Sequence, residues 1–164
     1  MSLLKVWLVN MEVCHLGKYK RISKDEYYMG IAMAVSKRSN CIKRHYGAVI
    51  VKNDTIVATG YNGSPRGGIN CCDTGFCHRL KLPSNSGNYS DCRSVHAEQN
   101  AIISASREDM LGATLYLAGE ELNQGIYDIE EEYVYNPIID CSPCPICARL
   151  IENSGIVRVV GKVE

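Results

Sequence analysis

The sequence predicts an α/β fold in three layers, with a central β-sheet flanked by helices. Helical and strand patterns alternate along the 164 residues, and no internal repeat or linker separates them. Apolar residues make up 46% and charged residues 22% of the chain, which is the balance of an ordinary globular domain. We therefore expect residues 1–164 to form a single domain.

Seven segments carry a regular pattern. In chain order they are a helix over about 24–38, strands over 46–52 and 55–61, a helix over about 95–107, a strand over 113–118, a helix over 144–153 and a strand over 156–162. Ser23 and Glu26 form a capping box at the start of the first helix. The pair Asn53-Asp54 predicts a hairpin turn, and Pro145 suits the first turn of the last helix.

Three segments lack such a pattern. Residues 1–20 are expected to form an N-terminal arm. Residues 62–93 are punctuated by Gly, Pro, Ser and Asn and contain four cysteines. Residues 119–140 are acidic and are expected to be irregular. Long irregular loops in a compact domain are usually functional or held by something other than a core.

Charge and cysteine usage narrow the functional classes. The 18 basic and 18 acidic residues give a net charge of zero, which argues against a nucleic-acid partner. The partly apolar start is interrupted by Lys5, Asn10 and Glu12 and is too short to span a membrane. Without a secretory signal, nine cysteines are expected in a reducing cytoplasm, where clustered cysteines are typical of metal ligands.

Two distant motifs together predict a zinc centre. VHAE contains His96 and Glu98, and SPCPIC contains Cys144 and Cys147. The two cysteines can bind one ion from a single turn, and His96 would be the third ligand, which leaves the fourth tetrahedral position for water. Glu98 is close enough in sequence to reach that water without binding the metal. The H-x-E…P-C-x-x-C pattern is typical of zinc nucleobase deaminases.

Both motifs lie at predicted helix starts, where the helix dipole favours thiolate. Zinc would lower the pKa of its water to about 7, and Glu98 would move protons from the water to a ring nitrogen and to the departing amine. A lone C-x-x-C also occurs in structural zinc knuckles, and a lone H-x-E in ordinary helices. The joint match, about 46 residues apart, favours the catalytic centre.

At these residues the sequence resembles the cytidine deaminase superfamily. Within it, the resemblance is to the deoxycytidylate (dCMP) deaminases, including the late-competence type found in bacteria. It covers about residues 24 to 162 and includes CIKRHYGAVIV at 41–51, TGYNGSPRG at 59–67 and HAEQNAI at 96–102. The resemblance implies a cytidine-deaminase-like fold with a mixed sheet of about five strands. It also implies a cytoplasmic homo-oligomer, either a hexamer or a dimer.

The resemblance further implies hydrolysis of dCMP to dUMP and ammonia in pyrimidine deoxynucleotide metabolism. Zn²⁺ would be bound by His96, Cys144 and Cys147, with Glu98 as the catalytic proton shuttle. The implied substrate contacts are Asn62 at the sugar, Gly63, Ser64 and Arg66 at the 5′-phosphate, the Ala97 N–H at the pyrimidine carbonyl, and the main-chain carbonyl of Cys141 or Ser142 at the amine. Family members are often controlled by dCTP and dTTP, with Mg²⁺ accompanying the triphosphate. For two of the implied substrate contacts another interpretation is open: Asn62 as a turn residue and Arg66 as an exposed loop residue.

A second cysteine cluster predicts a second, structural Zn²⁺ that would stabilise the loop 62–93. Some dCMP deaminases carry such an ion. The predicted ligands are Cys41, Cys71, Cys77 and Cys92, with His78 as the alternative to Cys77. Free thiols packed as small hydrophobic groups are the other interpretation. Cys14 and Cys141 are expected to be unliganded.

The segment 119–140 departs from the family pattern, in which P-C-x-x-C follows the preceding strand within a few residues. A lid, an oligomer contact or a specificity loop would each fit, and the base-packing aromatic residue stays unassigned between Tyr133 and Tyr135. Two other functions remain open: deamination of another nucleoside or nucleobase, and a catalytically silent zinc-stabilised competence or interaction module. Glu98 argues against the silent module because a structural zinc needs no unliganded carboxylate.

Overall fold

A computed structural model describes residues 20–80, 82, 91–123 and 133–162. Ten elements lie in these residues. The helices are α1 (Lys24–Ser36), α2 (Cys71–Thr74), α3 (Ala97–Ser104), α4 (Arg107–Met110) and α5 (Pro145–Ser154), and the strands are β1 (Arg44–Lys52), β2 (Thr55–Tyr61), β3 (Thr114–Leu122), β4 (Tyr135–Pro137) and β5 (Arg158–Val160). In this part of the chain no helix has the length and apolar character needed to cross a lipid bilayer.

The five strands form one mixed sheet in the order β2-β1-β3, with β4 and β5 both on the far edge of β3. β1 is antiparallel to β2 and to β3. β4 pairs antiparallel with the end of β3, and β5 pairs parallel with its start. This arrangement, with helices on both faces, confirms the predicted three-layer α/β fold and its five-stranded sheet.

Each face of the sheet has its own apolar core because side chains alternate along a strand. The core under α1 contains Tyr28, Ala32, Val49, Val51, Tyr116, Ala118 and Val160. The core on the other face lies beneath α3 and α5 and includes Ala48, Ile50, Ala101, Leu115, Leu117 and Ile151. The helices that carry the two sequence motifs therefore share one face of the sheet.

The predicted hairpin turn is confirmed, since Asn53 and Asp54 both have positive φ, at 50° and 63°. The predicted helix over about 95–107 is wrong at its end, because α3 stops at Ser104. Ala105 is extended, and the Ser106 hydroxyl accepts from the Asp109 N–H at 3.1 Å to start α4. A capping residue inside the apolar pattern thus divides it into two helices.

The prediction that 119–140 is irregular is wrong at both ends of the described part. β3 continues to Leu122, and β4 lies near the end of the segment. Cross-strand pairing accommodates the acidic residues, because Glu121 accepts from Arg44 at 2.7 Å and Glu120 lies 2.8 Å from the His45 ring nitrogen Nδ1. The segment is therefore partly an extension of the sheet.

Three predicted segments lie partly outside the described residues. These are the N-terminal arm, of which only residue 20 is described, the loop 62–93, of which 81 and 83–90 are not described, and the insertion, of which 124–132 are not described. Elsewhere the differences are small. α1 ends two residues before the predicted limit, β1 begins two residues earlier, and β5 is shorter than the predicted strand over 156–162. The loop 62–93 contains the single-turn helix α2.

Candidate active site

The start of α3 presents the first motif. His96 is the N-cap residue, and its backbone N–H donates to the Gln99 side-chain oxygen at 2.9 Å. Glu98 lies in the first turn and is only 5% exposed. The helix lies against the sheet at Gly60, where an added Cβ would be 2.3 Å from the Ala101 backbone nitrogen. This close approach requires glycine and fixes the position of α3 above β2.

The start of α5 presents the second motif. Cys144 is the N-cap residue, and its Sγ accepts from the Cys147 backbone N–H at 3.5 Å. Pro145 occupies the first turn, where its missing N–H costs nothing. Cys147 is fully buried beneath the helix. One helical turn thus directs both thiols to the same side.

The two motifs meet. The Nδ1 atom of His96 lies 3.6 Å from Cys144 Sγ and 3.3 Å from Cys147 Sγ. Among the described residues, these form the one group of three or more potential ligand atoms that all lie within 4.8 Å of one another. Tetrahedral zinc with ordinary Zn–S and Zn–N bond lengths separates sulfur from nitrogen by about 3.6 Å. The donor set and its spacing therefore fit Zn²⁺.

The electrostatics of this group favour a cation. Burial raises the pKa of the Cys147 thiol, and the Glu98 carboxylate and the Cys144 thiol raise that pKa further. Three groups that carry negative charge when ionised are thus crowded into one poorly solvated place. The positive charge of a divalent ion would offset that repulsion. Both thiols would then bind the ion in their deprotonated form.

A cavity of about 310 Å³ opens beside the group. Its volume is at the lower end of the range for small-molecule sites. His96, Glu98 and Cys144 line it, together with the predicted substrate contacts Ala97 and Ser142. The cavity therefore connects the ligand group with the candidate proton shuttle.

Asn62 also lines the cavity, but most of its amide is already engaged. Its Oδ1 accepts from the Tyr46 backbone N–H at 2.7 Å and from the Ser39 hydroxyl at 2.9 Å. Its Nδ2 donates to the Arg44 carbonyl at 2.9 Å. Asn62 is 7% exposed. Its main observed contacts hold the backbone of β1.

The structure does not bring the predicted phosphate loop to the cavity wall. Gly63 forms a backbone bridge with Val95. The Ser64 N–H donates to the Asn40 side chain at 2.9 Å. Arg66 is exposed, and its guanidinium reaches the Ser104 hydroxyl at 3.4 Å. None of the three residues Gly63, Ser64 and Arg66 lines the cavity.

Sequence reasoning missed several residues that do line it, among them Lys43, Arg44, Tyr46 and Arg79. Arg44 and Tyr46 alternate on β1, so strand periodicity, combined with the known cavity face, would have indicated them. Arg79 lies within the irregular loop 62–93 and has no comparable sequence signal. Tyr46 is the one tyrosine among the described residues of the wall. Tyr135 instead stacks on His45, and Tyr133 is exposed.

The second cysteine cluster lies near the same cavity. Cys41, Cys77 and Cys92 line it. Burial raises the pKa of Cys71, and the charges of Cys41, Cys77 and Cys92 raise it further, which places all four thiols in one neighbourhood. No three of these sulfurs are as close together as the 4.8 Å group formed with His96.

Cys141 is buried and its thiol donates to the Ile138 carbonyl at 3.7 Å, while Cys14 lies outside the described residues.

A larger cleft of about 730 Å³ lies beside β5 and the start of α1. Of its four charged residues, Asp25 and Arg158 are paired with each other at 2.5 Å, and Asp140 and Lys162 are the other two. It contains no group of three metal-ligating side chains among the described residues. The smaller cavity is therefore the better candidate for chemistry.

Comparisons with known proteins agree with this geometry. A family profile for the cytidine and deoxycytidylate deaminase zinc-binding region matches residues 22–162. The deoxycytidylate deaminase of Mycobacterium phage D29 is 38% identical over 139 residues, which are 83% of this chain and 91% of that protein. The deoxycytidylate deaminase of Schizosaccharomyces pombe is 38% identical over 142 residues, which are 85% of this chain but only 37% of that longer protein.

A solved structure is also similar. The dCMP deaminase of cyanophage S-TIM5, crystallised in complex with dCMP and dUMP, has a TM-score of 0.55 and 27% sequence identity, and the match covers 86% of this chain and 82% of that one. The region matched by the family profile, residues 22–162, includes both motifs. The chain therefore belongs to the cytidine and deoxycytidylate deaminase family.

Proposed function

We propose that this chain is a zinc-dependent enzyme that hydrolyses dCMP to dUMP and ammonia. The observation that carries the proposal is the convergence of one imidazole nitrogen and two thiols beside a buried carboxylate in a cavity. The relatives named deoxycytidylate deaminase support dCMP as the substrate. The similar cyanophage enzyme, crystallised with dCMP and dUMP, supports the same substrate.

His96, Cys144 and Cys147 would hold the metal. Zinc in a site of three protein ligands keeps one position for water and lowers the pKa of that water to about 7. Glu98 is left free for proton transfer because the three other side chains complete the ligand set. Its burial keeps the carboxylate away from bulk water and next to the reacting atoms.

Glu98 performs two proton transfers. It accepts a proton from the attacking water and donates it to the ring nitrogen beside the carbon, as the new carbon–oxygen bond forms. It then accepts the remaining proton of the added oxygen and donates it to the exocyclic amine. The carbon–nitrogen bond breaks, ammonia leaves and the oxygen stays as a carbonyl. One carboxylate can serve both transfers because each returns it to the ionised form.

Backbone groups orient the base. The Ala97 N–H, at the first turn of α3, is proposed to donate to the pyrimidine carbonyl, and helix-start N–H groups lack intrahelical partners. The carbonyl of Cys141 or Ser142 is proposed to accept from the amine. Asn62 has one Nδ2 hydrogen beyond its observed bonds, and that hydrogen is proposed to bind the sugar.

We also propose a second, structural Zn²⁺ held by Cys41, Cys71, Cys77 and Cys92. The neighbourhood of these thiols supports it. In the described part of the loop that carries three of them there is one short helix, so an ion closed by four protein ligands would stabilise the loop. Metal analysis of the purified chain tests the proposal, which expects two zinc ions rather than one.

Control by dCTP and dTTP with Mg²⁺ and assembly as a hexamer or dimer are proposed from the family resemblance, whereas a single domain over 1–164 is proposed from length and composition and a cytoplasmic location from cysteine usage. Sedimentation tests the assembly, and the deamination rate measured with added dCTP or dTTP and Mg²⁺ tests the control. A monomer whose rate is unaffected by either triphosphate would contradict them.

The decisive experiment measures ammonia release from cytosine, cytidine, deoxycytidine, dCMP and dCTP by the zinc-loaded protein. We expect the highest kcat/KM for dCMP. A higher value for an unphosphorylated substrate would indicate a nucleoside or nucleobase deaminase. Zinc-loaded protein without activity on all five would favour the silent interaction module.

A further inference from the structure

Strand β5 has an outer edge that pairs with no other strand in the part of the chain that the structure describes. On its inner side β5 pairs with β3 in parallel. The Val157 N–H donates to the Ala113 carbonyl at 3.0 Å, so Val157 and Val159 direct their backbone groups to β3. Arg158 and Val160 therefore direct theirs outwards. Such an edge presents N–H and C=O groups that favour pairing with a further strand.

The larger cleft runs along this edge. Five consecutive residues line it: Arg158, Val159, Val160, Gly161 and Lys162. Because neighbouring side chains of a strand point to opposite faces, a wall of consecutive residues places the cleft beside the strand rather than over one face of the sheet. Ser23 and Asp25 line the cleft as well, so it lies between β5 and the start of α1.

Apolar side chains are exposed on both faces of the sheet at this edge. Val160 packs in the core under α1, so Val159 points to the opposite face, where it is 39% exposed. Val157 is exposed beside it, and on the α1 side Ile22 is exposed next to Ser23. Parallel strands are normally covered on both faces. An occupant of the edge would therefore need apolar side chains on both of its own faces.

A segment with that character precedes the described residues. Residues 3–9 read LLKVWLV, and the run from Val6 to Val9 is apolar at consecutive positions. Such a run is typical of a strand that is covered on both faces. Residues 10–19 join it to residue 20, shortly before Ser23 on the cleft wall, and they can span up to about 33 Å. A strand of three residues is only about 10 Å long, so the segment can reach the whole edge.

We propose that residues 3–9 pair with the outer edge of β5 in the same chain and fill the cleft as a further strand of the sheet. Their backbone would bind the N–H and C=O groups of Arg158 and Val160, and their side chains would cover Val159 on one face and Ile22 on the other. Covering this edge also prevents two copies of the chain from pairing through it. The cleft contains neither the proposed zinc ligands nor Glu98, so the pairing is independent of deamination.

Trp7 is the one tryptophan of the chain, so its fluorescence reports on this segment alone. In the zinc-loaded full chain we expect Trp7 to emit at a shorter wavelength than in urea and to be quenched less by acrylamide. Val159→Lys on the edge and Leu8→Asp in the segment should each return both signals to the values in urea and lower Tm.

Matched controls separate pairing from the added charge. Ile56→Lys changes a residue that is 37% exposed, like Val159, but lies on β2 at the opposite edge of the sheet. Asn10→Asp adds the same charge as Leu8→Asp just beyond residues 3–9. Both controls should leave Trp7 shielded and Tm unchanged.

Three results would overturn the inference. One is a wild-type Trp7 that is as accessible as in urea, and another is shielding that either Val159→Lys or Leu8→Asp leaves unchanged. The third is shielding that is lost on dilution as an oligomer dissociates in sedimentation, which would assign the edge to the segment of a second copy. Shielding that is independent of concentration supports pairing within one chain. Absence of ammonia release from dCMP would refute the proposed function and leave the fluorescence result intact.

Discussion

Replacing Asn62 by Ala separates two roles of this residue. The resemblance implies that it contacts the sugar, whereas its observed contacts hold β1 through the Tyr46 N–H, the Arg44 carbonyl and the Ser39 hydroxyl. Asn62→Ala removes all three bonds. Two of the released partners are backbone groups in the middle of the fold, where water cannot easily replace the amide.

The expected loss in the free energy of unfolding is about 3 kcal/mol, at about 1 kcal/mol for each hydrogen bond. For a protein of this length, that corresponds to a fall in Tm of about 6–12 °C. Urea unfolding of the zinc-loaded protein, extrapolated linearly to water, measures it. Asn136→Ala on β4, where the residue is exposed, is the matched control and should cost less than about 0.5 kcal/mol.

A loss below about 1 kcal/mol in Asn62→Ala would refute this reasoning. If that small loss accompanied a large rise in KM for dCMP, the sugar contact would be the dominant role. If stability and KM both changed, the amide would serve both functions, because its remaining Nδ2 hydrogen can bind the sugar while the other positions hold β1.

Four further variants test the rest of the site. Glu98→Gln should retain zinc but lose at least about 100-fold in kcat, since the shuttle is removed; near-normal turnover would remove its proposed role. Cys144→Ser should lose the catalytic zinc by metal analysis, and an unchanged zinc content would contradict the ligand assignment. Cys71→Ser should lower Tm and release one of two zinc ions, whereas an unaltered Tm and metal content would exclude the second site. Gly60→Ala should cost about 1–3 kcal/mol and lower kcat because α3 must move, while Gly30→Ala, with open space around its Cβ, should be neutral or stabilising; equal effects would show that the close approach is unimportant.

The parts of the fold that the sequence predicted well are those with local determinants. The capping box at Ser23 is observed, with the Glu26 N–H bound at 3.1 Å, and the turn at Asn53-Asp54 has the positive φ values that those residues tolerate. β3 was predicted too short because composition alone treats Glu120 as a loop residue. The ion-pair partners of Glu120 are Lys37 and His45, which lie far from it in sequence, so no local pattern reveals them.

The same distinction holds in the site. His96 and the two cysteines were predicted because a composite motif with fixed spacing encodes their meeting. Two features of the site were not predicted: the hydrogen-bonded amide of Asn62 and the hydrogen bond from the Lys43 ammonium to the Arg79 carbonyl. Both depend on which distant segments of the chain meet in the fold. Whether the phosphate loop Gly63–Arg66 contacts substrate stays a prediction, and its position outside the cavity favours another phosphate site.

Strand β1 explains why the wall of the cavity is rigid. Arg44 and Tyr46 lie on the cavity side, while His45 between them lies on the other face, where it stacks on Tyr135 with ring centroids 4.1 Å apart. Asn62 binds the backbone of β1 on both sides of His45. The positions of Arg44 and Tyr46 on the cavity wall are therefore set by the sheet rather than by a loop. Loosening β1 should therefore lower kcat/KM for dCMP even if zinc stays bound, because the cavity wall would no longer hold the substrate in one position.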